Sequence, residues 1–261
     1  MIKFFYDYFN EEDVGGLFSV DHLIYVVLFL TALALLLFIS RRTSAEQMKR
    51  LHICLAILVT LAEITKITLR IIKQQPADSW LPLYFCSLFI YSLWLSFSKY
   101  DFIKTMGYSY MAIGGIIGGV CFMIFPSTSI GLFPIWHPSS IFSLIYHLTM
   151  VYFGIMLLWK KIYVPKMKHL FHYFTLILIA SAISLILNHT LDANCMFLRH
   201  AYGLGVLQSI SDSHPVIYAI SAIFAQGVLA YSAGVGIYKF YLKMIMKRKD
   251  SHEFNHRSNI R

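Results

Sequence analysis

Charged side chains are scarce in this chain. Asp, Glu, Lys and Arg make up only 13% of its 261 residues, and 58% are hydrophobic, where a soluble domain carries about 25% charged residues. The shortage falls in repeated long apolar runs, which excludes an ordinary soluble fold and predicts a polytopic membrane protein. Four cysteines, at 54, 86, 121 and 195, show no CxxC or Cys/His spacing, which argues against a zinc module or a disulfide-rich scaffold. There is no basic stretch ahead of the first apolar run. Asp7, Glu11, Glu12, Asp13 and Asp21 face a single Lys3, so that run reads as a retained helix and not a cleaved signal. Internal repeats, long linkers and cofactor or metal motifs are also absent. The net charge of +9 requires no nucleic acid, because the basic residues lie between the apolar runs and at the C-terminus.

What the chain does have is apolar length. A hydrocarbon core of ~30 Å takes ~20 apolar residues as a helix, and seven runs qualify: 20–39, 51–71, 81–98, 104–125, 139–159, 169–188 and 215–240. In the third, Pro82 is expected in the first helical turn, where its missing N–H costs nothing. Lys and Arg then set the direction. Arg41, Arg42, Lys49 and Arg50, then Lys99 with Lys104, then Lys160, Lys161, Lys166 and Lys168, and finally the tail's Lys243, Lys247, Arg248, Lys249, Arg257 and Arg261 fall on one side. The other connections hold no Lys or Arg except Lys73 and Arg199. The expectation is an all-α bundle of seven transmembrane helices over 1–240, N-terminus outside, with a basic cytoplasmic tail over 241–261 that attracts anionic lipid. "GGIIGG" (114–119) and Ala222, Gln226, Ala230 and Gly234 place small residues along two helix faces, where a neighbour can approach closely.

With that direction, several polar groups share one layer in the outer half of the membrane. At 1.5 Å per residue, Cys86 lies ~8 Å below Leu81, His147 ~12 Å below Ser139, Glu63 ~12 Å short of Ile71 and Gln226 ~16 Å down the last span. The sixth ends at Asn188, and Asp192 and Asn194 follow it. Glu63, Lys66 and Arg70 are spaced i, i+3, i+7. They read either as a structural ion pair with a snorkelling arginine or as the lining of a polar cavity. A lone membrane cysteine is usually packing, and a lone histidine is often a helix–helix hydrogen bond. Together a thiol and an imidazole are the minimum set for nucleophilic catalysis, since the base generates the attacking thiolate. His137, His189, His200 and His214 are alternative bases. Cys121 and Cys195 are both expected near the outer surface, where a disulfide between them is conceivable.

"LAEITK" (61–66), "LPLYFCSL" (81–88), "SLIYHLTM" (143–150) and "NHTLDANCMFL" (188–198) resemble, in order and spacing, the YwaF family of bacterial integral membrane proteins over about 61 to 240. More distantly they are similar to animal TMEM-type acyltransferases that remodel ether phospholipids, and to membrane hydrolases of fatty-acid esters with a Thr nucleophile. The resemblance implies a bacterial plasma membrane, a nucleophile at Cys86 and a base at His147, and its Asn-x-Met-(Phe/Leu)-Leu piece falls on Asn194, Met196, Phe197 and Leu198. The chain departs from the pattern in two places. Ser87 follows Cys86 where the animal enzymes have His, and "SDSHPVIY" (211–218) replaces a Gly-Pro-Trp-rich approach to the last helix.

The reading that follows is acyl transfer between membrane phospholipids through a thioester on Cys86, with His147 as base. Asn188 or Asn194 would steady the oxyanion. Glu63 would orient His147 or bind a cationic headgroup, with Lys66 and Gln226 in the same substrate-binding layer. A lipid-ester hydrolase differs only in its acceptor. A proton- or solute-coupled transporter using Glu63, Lys66 and His147 is the alternative from another class. A receptor or assembly factor without chemistry is the third. No nucleic acid is involved, and no feature sets an oligomeric state.

Overall fold

The computed structural model describes residues 16–75, 80–126, 129–201 and 205–258, with side chains described as far as residue 244. The acidic residues before position 16 and the tail's basic side chains beyond Met244 lie outside the described residues. Among the described residues every regular element is helical.

Helix α1 (Val20–Ile39) starts at Ser19, whose side chain accepts the His22 N–H at 3.2 Å. Helix α2 (Ala45–Ile72) starts at a reciprocal Ser44–Gln47 capping box, which satisfies two otherwise orphaned donors. After the short α3 (Leu88–Leu95) comes α4, built from Asp101–Ser109, a π-helical turn at Tyr110–Gly114, and Gly115–Ile124. Helix α5 (Pro138–Trp159) has proline at its first position and is capped by His137. Helix α6 (Leu170–Thr190) and the short α7 (Gly205–Ser213) precede α8, which runs through Pro215–Phe224, a second π turn at Ala225–Leu229, and Ala230–Ser258.

Five of these helical stretches are long and apolar enough to cross a membrane: Val20–Arg42, Asp101–Ile124, Pro138–Trp159, Met167–Thr190 and Pro215–Met244. The sequence predicts seven spans, and two of them differ. Helix α2 has the length, with 28 residues, but carries Glu63, Lys66 and Arg70. The 81–98 run is helical only over Leu88–Leu95, which is ~12 Å long. Pro82 therefore does not open the helix. It pushes Leu81 out of the helical region, and helix begins six residues later.

The core is centred on α4. Tyr110, Met111, Ala112 and Ile113 are fully buried or nearly so, packed with Leu88, Phe89, Met150, Phe153, Tyr173, Ile177 and Tyr231. A second cluster joins Tyr25 and Phe29 of α1 to Phe122 and Val151. The small residues of "GGIIGG" serve close approach, as expected. A Cβ on Gly119 would lie 2.4 Å from Val151 Cγ2 and 3.0 Å from the His147 carbonyl, and one on Gly154 of α5 would lie 2.8 Å from the Met111 carbonyl. This tight α4–α5 crossing brings the backbone of Gly118 and the ring of Phe122 up to the residues of greatest chemical interest.

Candidate active site

Cys86 sits in a turn, Phe85–Ser87, between the non-helical Leu81–Leu83 and helix α3. The peptide groups here have few partners of their own kind, and neighbouring elements supply the rest. The Leu83 carbonyl accepts the Met196 N–H at 2.9 Å. The Phe85 carbonyl accepts the Tyr110 hydroxyl from α4. The Cys86 carbonyl accepts the Tyr146 hydroxyl from α5 at 3.0 Å. The Cys86 thiol is partly buried and points at the Gly118 carbonyl across 3.8 Å, a weak S–H bond.

His147, on α5, is 7% exposed. Its Nδ1 lies 2.7 Å from the Ser143 carbonyl. A carbonyl can only accept, so Nδ1 carries the proton and Nε2 keeps the lone pair. Phe122 stacks flat on the imidazole, with centroids 3.6 Å apart and planes within 2°, and Tyr146 meets it edge-on at 5.4 Å. No hydrogen bond joins the thiol to the imidazole. What they share is one face of α4: Cys86 rests on Gly118 and His147 on Phe122, one helical turn, ~6 Å, further along.

Of the alternative histidines, His137 is fully buried at the start of α5, where its ring accepts the Ser139 N–H and stacks on Phe133. His189, His200 and His214 are exposed.

Glu63 and Lys66 form an ion pair at 2.5 Å, with the glutamate 6% exposed.

Asn188, Asn194 and Gln226 are committed to main chain. Asn188 donates to the Cys195 carbonyl at 3.1 Å and accepts its N–H at 2.6 Å. Asn194 donates to the His200 carbonyl at 3.0 Å and accepts the N–H groups of Arg199 and His200. Gln226, in the π turn of α8, donates to the Met196 carbonyl at 3.0 Å. Together with an Asp192–Arg199 ion pair they hold a loop in which Asp192, Met196 and Phe197 all have positive φ, at 51°, 58° and 53°. Left-handed backbone is costly for bulky side chains and persists where surroundings impose it. The loop drives a fully buried Met196 into the bundle and docks on the Cys86 segment through Leu83 and a Tyr84–Phe197 ring contact. Cys195 is buried beneath it while Cys121 is exposed, and neither forms a disulfide.

The sequence reading passed over Tyr110, Tyr146, Ser143, Gly118 and Phe122. Tyr146 and Ser143 stood in plain view, in the same "SLIYHLTM" as His147, but nothing in a sequence says which backbone group a hydroxyl will reach.

The apolar helices and their buried polar centre define an integral membrane protein built as one helical bundle, whose central helix α4 meets the Cys86 thiol at Gly118 and the His147 imidazole at Phe122. By sequence the chain belongs to the TMEM164 family, whose profile matches residues 17–234. No curated protein matches the chain. No solved structure matches it either.

Proposed function

We propose that this protein moves a fatty acyl chain between membrane phospholipids through a thioester on Cys86. The observation that carries the reading is the shared seat of the Cys86 thiol and the His147 imidazole on the Gly118–Phe122 face, with Nε2 of the imidazole left as the available base. His147 takes the thiol proton, and the thiolate attacks the ester carbonyl of the donor lipid. The ester C–O bond breaks as His147 returns the proton to the leaving lysolipid oxygen. His147 then deprotonates the acceptor hydroxyl, which attacks the thioester, and the C–S bond breaks to restore the thiol. Catalytic hydrogen bonds of this kind commonly tighten only once substrate is bound. Glu63 and Lys66, an ion pair on α2, suit contact with the donor headgroup. Water as the acceptor makes the same site a lipid-ester hydrolase. Transport through the Glu63–Lys66 face has less support, because the two charges are closed on each other.

The reading includes seven crossings with the N-terminus outside, supported by the one-sided Lys and Arg distribution. The third crossing is then a broken one, residues 81–98, with the Leu83, Phe85 and Cys86 carbonyls of its non-helical half bonded by other elements, as such backbone needs at membrane depth. It also includes a YwaF-type member in a bacterial plasma membrane, supported by the motifs around Cys86 and His147. The test is transfer of a labelled acyl chain from phosphatidylcholine to added lysophospholipid in proteoliposomes. Wild type is expected to transfer, and Cys86→Ala to retain its fold and transfer nothing. Full transfer by Cys86→Ala would remove the thioester from the mechanism.

A further inference from the structure

Two tyrosines from different helices bind two consecutive carbonyls around the thiol. Tyr110 donates to Phe85 O, and Tyr146 donates to Cys86 O at 3.0 Å. A trans peptide is planar, with its C=O and N–H pointing in opposite directions. Fixing the Phe85 carbonyl therefore fixes the Cys86 N–H, and fixing the Cys86 carbonyl fixes the Ser87 N–H.

Neither of those two N–H groups is used by the main chain of the described residues. Helix α3 begins with short bonds from Leu88, Phe89 and Ile90 back to the carbonyls of Phe85, Cys86 and Ser87 at 3.1–3.3 Å, and Ser87 supplies no side-chain cap. The Cys86 N–H faces its own sulfur, on the side where the nucleophile meets the acyl group. First-turn donors without partners favour negative charge. The base lies next to one of the two tyrosines: His147, 7% exposed, follows Tyr146 on α5 and holds the Ser143 carbonyl through Nδ1. The asparagine amides, by contrast, are engaged in holding the 192–200 loop.

Both tyrosines are held by rings as well as by hydroxyls. Tyr110, the first residue of the π turn, stacks on Tyr173 at 5.7 Å and tilts against Phe85 at 5.4 Å. Tyr146 meets Phe89 edge-on at 6.3 Å and adjoins His147 in sequence and in space. One short piece of α5 thus presents the base and braces the nucleophile's turn.

We propose that Tyr110 and Tyr146 are positioning residues that hold the Phe85–Ser87 turn so that the main-chain N–H groups of Cys86 and Ser87 receive the oxyanion formed at the acyl carbonyl. This rests on the acyl-transfer reading above. Phenylalanine at either position keeps the ring and removes the hydroxyl, leaving the carbonyl with only its bond from the Leu88 or Phe89 N–H, so the peptide plane is held less firmly.

The test uses purified full-length protein and two reagents that attack the same sulfur. p-Nitrophenyl decanoate acylates Cys86 through a tetrahedral oxyanion. Iodoacetamide alkylates it by direct displacement at carbon, with no such intermediate. Rates are read by mass spectrometry on the Cys86 peptide for wild type, Tyr146→Phe, Tyr110→Phe and the double variant. The expected result is acylation slowed ~10²-fold by Tyr146→Phe, with alkylation unchanged. Tyr110→Phe, on a different helix, is expected to act in the same direction. Acylation as fast in both variants as in wild type overturns the proposal. So does a parallel fall in both rates, which would mean the tyrosines only hold the thiol in place. A wild type that is alkylated but never acylated overturns the acyl-transfer reading itself, and the proposal with it.

Discussion

His147 lies flat against Phe122, ring centroids 3.6 Å apart and planes within 2°. The stack fixes the plane of the imidazole, while the bond from Nδ1 to the Ser143 carbonyl fixes its rotation about that plane. Phe122→Ala removes the first constraint and leaves the second. Misplacing a catalytic group by about 1 Å can cost 10²-fold, so Phe122→Ala is expected to lower turnover by ~10-fold to 10²-fold with little change in lipid affinity. Separate kcat and KM values in proteoliposomes would show this, and a change confined to KM would contradict it.

The α3–α4 crossing makes a prediction about stability. A Cβ on Gly107 would stand 2.6 Å from the Ser92 carbonyl oxygen and 2.6 Å from the Ser96 nitrogen. Both are backbone atoms, so no side chain can swing away. Gly107→Ala must separate the helices, and overpacking of this kind costs ~1–3 kcal/mol. A clear drop in thermal midpoint in detergent is expected, and an unchanged midpoint would show that the crossing is looser than described.

Asn188 holds both main-chain groups of Cys195. Asn188→Ala removes both of its bonds to the buried Cys195 main chain, at about 1–3 kcal/mol, while the Leu198 N–H stays on the carbonyl. The strained loop is expected to loosen before the bundle does. Cys195, fully buried in the wild type, should then become reactive to iodoacetamide, as read on its own peptide. Continued protection of Cys195 would mean that Asn194, Gln226 and the Tyr84–Phe197 contact hold the loop without it.

Glu63→Gln leaves the largely buried Lys66 ammonium without its counter-charge. Breaking such a pair from one side destabilises more than replacing both partners. Glu63→Gln is therefore expected to lower the thermal midpoint, and adding Lys66→Gln to restore most of it. If the pair also meets the donor headgroup, KM for lipid rises in both variants. An unchanged KM would leave the pair purely structural.

Much of this could be read from the sequence because it depends on composition and spacing. The apolar runs give α1, α5 and α6 within a residue or two, and the glycines at 114–119 mark the tight crossing. The 81–98 run failed for a local reason. Apolar content cannot tell a continuous helix from a half-helix, and the non-helical half exists because Tyr110, Tyr146 and Met196 satisfy its peptide groups from far along the chain. The same limit applied to Asn188, Asn194 and Gln226. They stand out in the sequence as polar groups amid apolar runs, but their partners are loop carbonyls and N–H groups whose positions only the folded chain defines. Phe122 looked like one more apolar residue until it proved to lie on His147.

The most direct test of the account is the intact mass of purified protein after incubation with phospholipid vesicles, comparing wild type, Cys86→Ala and His147→Ala. The account predicts a hydroxylamine-labile acyl adduct on wild type, absent from Cys86→Ala and lost or greatly slowed in His147→Ala. Folded wild-type protein that carries no adduct across a range of lipid headgroups would contradict it and return Cys86 to the role of a packing residue.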